Sequence, residues 1–91
     1  MARPNPIHMS DYSGLGVTRL SWKSLRAEAV EVHVDYPDGP LFSSTSPSGS
    51  EVTGNWVRDG MIFYLQDVSG GLPLTSDNTI DSIIVNVIRA K

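Results

Sequence analysis

The sequence predicts an all-β chain folded as a two-layer antiparallel sandwich of about seven strands, and three observations predict it. Apolar and polar residues alternate in short runs, most cleanly from Val30 to Tyr36. Turn-forming residues cluster near positions 14, 38, 48, 60 and 70, close to the roughly 8 to 12-residue spacing of sandwiches and barrels. No segment carries a long helical pattern. A small open barrel is the competing architecture.

Ninety-one residues predict a single domain spanning 1–91. A chain this short buries roughly 60 to 65% of the surface it exposes unfolded, enough for a small core. Apolar residues at 40% and charged residues at 19% exclude a disordered class, which needs low hydrophobicity and high charge. The net charge of −3 and the lack of a basic run argue against nucleic acid, because phosphate binding needs clustered lysine and arginine. No stretch reaches the roughly 18 apolar residues of a membrane-inserting helix. Without cysteine there is no disulfide, thiolate metal site or cysteine nucleophile. The first residues, Met1 to Pro6, lack the apolar core of a signal peptide. The chain is therefore expected either to stay inside the cell or to be part of a longer exported protein, and the second is favoured.

The organising stretch is Val57 to Val68. It contains the turn pair Asp59-Gly60, then places Met61, Phe63 and Leu65 on one face and Ile62, Tyr64 and Val68 on the other. A strand apolar on both faces belongs in the interior of its sheet. Ahead of it, residues 1–10 carry Pro4 and Pro6, which lack backbone donors and suit an edge strand. Asp11 to Gly16 is a turn-rich link. Val17 to Trp22 puts Thr18, Leu20 and Trp22 on one side, with Arg19 and Ser21 on the other. Lys23 to Ala29 is a connection with room for one helical turn, since Trp22, Leu25, Ala29 and Val32 follow helical spacing. From Val30 onward, Val30, Val32, Val34 and Tyr36 face one way, while Glu31, His33 and Asp35 face solvent. Pro37 to Pro40 is a turn. Leu41-Phe42 starts a short strand that gives way to the polar loop Ser43 to Ser50. Glu51 to Val57 pairs back, broken at Gly54. Ser69-Gly70-Gly71 opens a loop that runs to Asn78. Ile80 to Ile88 closes the chain with Ile83, Val85 and Val87 on one face.

This order of features is similar to that of the immunoglobulin-like and fibronectin type III-like accessory domains of bacterial proteins. The match is carried by Pro4-Asn5-Pro6, Leu20-Ser21-Trp22, Ala29-Val30-Glu31-Val32, Asp59-Gly60 with Phe63-Tyr64-Leu65, and Thr79 to Val87. The resemblance implies an immunoglobulin-like sandwich. It also implies a non-catalytic spacer or binding appendage of a larger surface, secreted or glycan-related protein. The chain departs from relatives of antibody or integrin-binding type in lacking an inter-sheet cysteine pair and an adhesion tripeptide. Tyr64 lies near the position of a tyrosine corner without matching its spacing.

Candidate chemistry is sparse. Trp22 is expected in the core, and Trp56 is either core or an exposed platform. With Tyr36 and Tyr64, and Tyr12 as a further member, Trp56 forms the candidate ligand-binding set, suited to stacking on a sugar face. There is no G-x-S-x-G elbow, and His33 between Glu31 and Asp35 reads as a polar cluster on a solvent face, so no catalytic residue is assigned. His8 reads as a surface residue. Asp35 and Asp38 flank a turn and do not form the cleft that glycoside hydrolysis requires. Asp77, Asn78 and Asp81, with Asp67 nearby, are weak calcium candidates that lack EF-hand spacing. Gly70-Gly71 lacks the strand-loop-helix setting of a phosphate site and reads as a turn needing positive φ.

No cofactor is implied. The expected function is display of loops to a protein or glycan partner. A carbohydrate-binding module is the alternative, and a structural spacer or self-associating domain is the further one. The run Ile83 to Ile88 is β-prone and uncharged, so it is expected either to be covered by the N-terminal strand or to form a homo-dimer.

Overall fold

The computed structural model describes residues 1–9, 15–24, 27–45 and 47–89, with Met9, Thr45 and Arg89 described by backbone alone. Eleven strands run through these residues: β1 (Ala2–Arg3), β2 (Ile7–Met9), β3 (Leu15–Gly16), β4 (Arg19–Lys23), β5 (Val30–Val34), β6 (Leu41–Thr45), β7 (Ser48–Val52), β8 (Val57–Arg58), β9 (Met61–Asp67), β10 (Thr79–Val85) and β11 (Val87–Arg89). Two single 3-10 turns, Ser69–Gly71 and Ser76–Asn78, are the only helical elements among the described residues. The chain is all-β, as the alternation and turn spacing predict.

The strands form a three-stranded sheet in the order β1-β4-β7, a four-stranded sheet in the order β10-β9-β5-β6, and the pairs β11-β2 and β3-β8. All ladders are antiparallel except β11 with β2, which is parallel with Val87 beside Ile7. β9 lies between β10 and β5, the interior place that its two apolar faces predict. Its inward residues Met61, Phe63 and Leu65 join Leu20, Val30, Val32, Val34, Val57, Val85 and others in one buried cluster. That cluster draws on every sheet.

Several boundaries differ from the sequence reading. The first edge strand, 1–10, is two strands: β1 borders the three-stranded sheet and β2 joins β11, with Pro4 and Pro6 between them, both after cis bonds. Tyr36 does not continue the valine face. Asp35 takes a φ of 73°, the strand ends at Val34, and Tyr36 is 67% exposed. The polar tract 43–50 is mostly strand, because β6 and β7 extend into it from either side. The Glu51 to Val57 strand stops at Val52 and resumes as β8. Asn86 divides the last strand, its carbonyl accepting from the Ile7 N–H at 2.7 Å. No helical turn is found in the described part of 23–29; Leu25 lies outside the described residues.

The glycines at the two main turns behave as their sequence context requires. Gly60, Gly70 and Gly71 have φ values of 82°, 63° and 80°, in the left-handed region where a side chain is disfavoured. Beside Gly60, the Asp59 carboxylate accepts from the Val87 N–H at 2.9 Å, which fixes the turn to β11.

Candidate functional site

Trp56 follows directly from how β7 ends. Thr53 is buried, and its hydroxyl accepts from the Thr18 N–H at 2.9 Å while its own N–H donates to the Thr18 carbonyl at 2.8 Å. The chain then turns through Gly54 and Asn55 and is anchored again by Val57, which is fully buried. Trp56 is thereby held at the surface, 38% exposed. Its ring meets the edge of Phe42 at a centroid distance of 5.8 Å and 67°, and lies at 6.0 Å and 40° to Phe63. Phe42 and Phe63 are themselves edge-to-face at 5.7 Å. Such pairs add about 0.5 to 1.5 kcal/mol beyond buried area, so the indole is fixed. Gly54 makes the close fit feasible: a Cβ there would stand 2.7 Å from Trp56 Cδ1 and Nε1.

The indole borders an open hollow of about 600 Å³ whose wall also includes Phe42, Val34, Asp35, Glu51 and Arg58. Across it, an Arg58 guanidinium nitrogen donates to Asp35 Oδ1 at 2.9 Å. An exposed pair of this kind contributes only about 0 to 1 kcal/mol to stability, but it presents both donors and acceptors beside the ring. Trp56 is therefore a surface residue on the wall of this hollow, not a core one.

The tyrosines do not join it. Tyr64 projects from the face of β9 opposite Phe63, and its partner across the ladder is His33. Tyr36 is exposed in the turn after β5 and does not line the hollow. Tyr12 lies outside the described residues. Trp22 is half-buried, not enclosed: it packs on the core and over Gly49 of β7, and it lines a separate groove.

His33 overturns the expected solvent face of β5, being 4% exposed. The pairing of β5 with β6 shifts register between Val32 and His33, and the Pro37–Pro40 turn folds back, with the Val34 N–H donating to the Pro40 carbonyl at 2.9 Å. The ring is held by the Gly39 carbonyl at Nδ1, 2.7 Å, and by Glu31 Oε1 at Nε2, 2.8 Å. Asp35 is not part of this cluster, because it turns to Arg58.

The acidic loop residues are engaged locally. Asp67 Oδ1 accepts from the Ser69 N–H at 2.9 Å, and hydrogen bonding from Ser69, side chain before backbone, holds its carboxyl below the usual value of 3.8. Asn78 donates to the Pro73 carbonyl at 2.9 Å, and Asp81 Oδ1 accepts from the Ser82 N–H at 2.8 Å. Asp77 is exposed in the second 3-10 turn. Among the described residues no group of three or more His, Asp or Glu side chains is placed to hold a metal ion.

No family model matches the chain, and no curated protein or solved structure matches it either.

Proposed function

We propose that this chain is an immunoglobulin-like β-sandwich serving as a non-catalytic interaction module of a larger bacterial protein, at the cell surface or secreted. The two larger sheets would be its layers. Their strand orders and their shared buried cluster support that reading. The Trp56 hollow carries the functional part, because it is a pre-formed concave wall with a fixed aromatic and convergent polar groups, the usual make-up of a binding site. A non-catalytic role is supported by His33, whose two ring nitrogens both have partners in a buried setting and leave none for a substrate.

A carbohydrate ligand is the second reading, favoured by Trp56 standing beside the Asp35–Arg58 pair. Sugar C–H faces stack on indole while hydroxyls take the carboxylate and guanidinium. The test is a titration with a glycan panel, followed by indole emission. A saturable change that disappears in Trp56→Ala, with the fold retained, assigns the glycan. No change with any glycan returns the hollow to a protein partner or leaves the domain a spacer. Turnover of ester, glycoside or phosphate substrates that co-purifies with the protein overturns the non-catalytic reading.

A further inference from the structure

The Trp56 hollow lies between two edge strands, β6 of the four-stranded sheet and β7 of the three-stranded one. Apolar groups form much of its wall, with Phe42 beside Trp56 and Val34, Pro40 and Met61 around them. Charged groups share it. Two carboxylates, Asp35 and Glu51, stand against one guanidinium, that of Arg58.

The two carboxylates are not equivalent. Asp35 is engaged, its Oδ1 accepting from Arg58 at 2.9 Å. Glu51 stands opposite Leu20 in the β4–β7 ladder, and directly opposed residues project from the same face of a sheet. Leu20 is buried, so Glu51 leaves β7 on the core-facing side and reaches the hollow at the margin of the sheet. Among the described residues no hydrogen bond or ion pair engages its carboxylate. An inward charge on an edge strand discourages pairing with another chain. Here it also leaves an unneutralised negative group in the same hollow as a part-exposed indole.

We propose that the hollow takes an arginine side chain from a partner polypeptide, an inference that rests on reading the hollow as a binding site. The guanidinium lies on the Trp56 ring and donates to Glu51, while its aliphatic stem covers Phe42. An indole face attracts a cation through its quadrupole. The planar fork of donors fits a carboxylate and stacks on a ring, neither of which a lysine ammonium does as well. Arg58 repels the incoming charge, but Asp35 holds and neutralises it. The balance at Glu51 therefore favours a cation over an acidic partner.

The probe is a short blocked peptide, one arginine flanked by glycine and serine, added to the full chain. Its control carries citrulline, which keeps the shape of arginine and loses the charge. NMR follows the Trp56 indole N–H and the amides of β6 and β7, and the shifts give a Kd. The arginine peptide is expected to bind about tenfold more tightly than its control, and to weaken as salt is raised. Glu51 is exposed, so Glu51→Gln should leave the fold intact and weaken binding about threefold. Trp56→Leu should weaken it about threefold as well. Arg58→Gln should tighten it about threefold, because Asp35 is released to the incoming guanidinium. A glycan or an acidic ligand would instead lose a donor in that variant. Equal binding of the two peptides, or a Glu51→Gln chain that binds as the parent does, overturns the proposal. A glycan that shifts Trp56 where the arginine peptide does not overturns it too, yet leaves the hollow a binding site. Silence of Trp56 toward both probes removes the two readings together. Should Trp56→Leu fail to fold, Glu51→Gln and Arg58→Gln carry the test.

Discussion

The Thr79 hydroxyl donates to the Gln66 side-chain oxygen across the β9–β10 ladder, inside a region where Gln66 has no exposed surface. The same amide donates to the Thr75 carbonyl at 2.9 Å. The chain between the two 3-10 turns is thereby fastened over the outer face of β9. A buried amide is stable there only because both its ends have partners.

Replacing Gln66 with alanine leaves the Thr75 carbonyl and the Thr79 hydroxyl without their partner. The expected cost is about 1 to 3 kcal/mol, read as a lower urea midpoint at unchanged slope. Resonances of residues 72–79 should shift while those of β4 and β7 stay in place. A midpoint equal to that of the parent chain would mean that water replaces the amide freely.

His33 and Glu31 form a coupled pair, because one ring nitrogen is held by Glu31 and the other by the Gly39 carbonyl. His33→Ala should destabilise the chain by about 1 to 3 kcal/mol. A double-mutant cycle with Glu31→Ala should give a coupling of about 0.5 to 3 kcal/mol. Strictly additive losses would show that the pair contributes nothing of its own.

Gly54→Ala tests whether Trp56 is seated as described. The added methyl would lie 2.7 Å from the indole, so the ring must move while the backbone need not. Indole emission is expected to change with little loss of stability. Trp56→Ala, which removes contacts with Phe42 and Phe63, should cost about 1 to 3 kcal/mol, less than the 3 to 5 typical of an enclosed aromatic. An unaltered emission spectrum in Gly54→Ala would contradict the close approach.

Asp67 gives a pH dependence of defined sign. Bonds from Ser69 lower its folded-state value below 3.8, so the unfolded chain holds the proton more tightly. The contribution is present above the unfolded value and is lost as pH falls through the folded one. Side-chain NMR titration should give a midpoint under 3.8, and Asp67→Asn should flatten the acid limb of stability against pH. A midpoint at or above that value would remove the effect.

The sequence revealed the fold wherever burial follows period two. Val30, Val32 and Val34, then Met61, Phe63 and Leu65, are buried as their alternation requires. It misled where a loop covers the outer face of a sheet. His33 read as solvent-facing by parity and Gln66 was not singled out at all, yet the 37–40 turn and the chain leading to Thr75 and Thr79 lie over them. Those contacts depend on where distant loops fold back, and local patterning does not encode that. The opposite faces of Phe63 and Tyr64 were legible, but that Trp56 packs on the Phe63 side was not, since it depends on where the chain after β7 folds back. Trp56 itself was legible as an ambiguous residue, because glycine two places earlier and a valine beside it left both orientations open.

The parallel pairing of Ile7–Met9 with Val87–Arg89 sets how the domain bears mechanical load. Tension applied through the two ends pulls these neighbouring strands in opposite directions along their length, so their bonds are sheared together instead of peeled one by one. Asn5 adds a rivet at the same seam, donating to the Ile84 carbonyl at 3.0 Å and accepting from the Asn86 N–H at 3.1 Å. A unit threaded into a longer chain in this way should hold its shape until the seam slips as a whole. Single-molecule stretching of Asn5→Ala, showing a lower rupture force than the parent, is the corresponding observation.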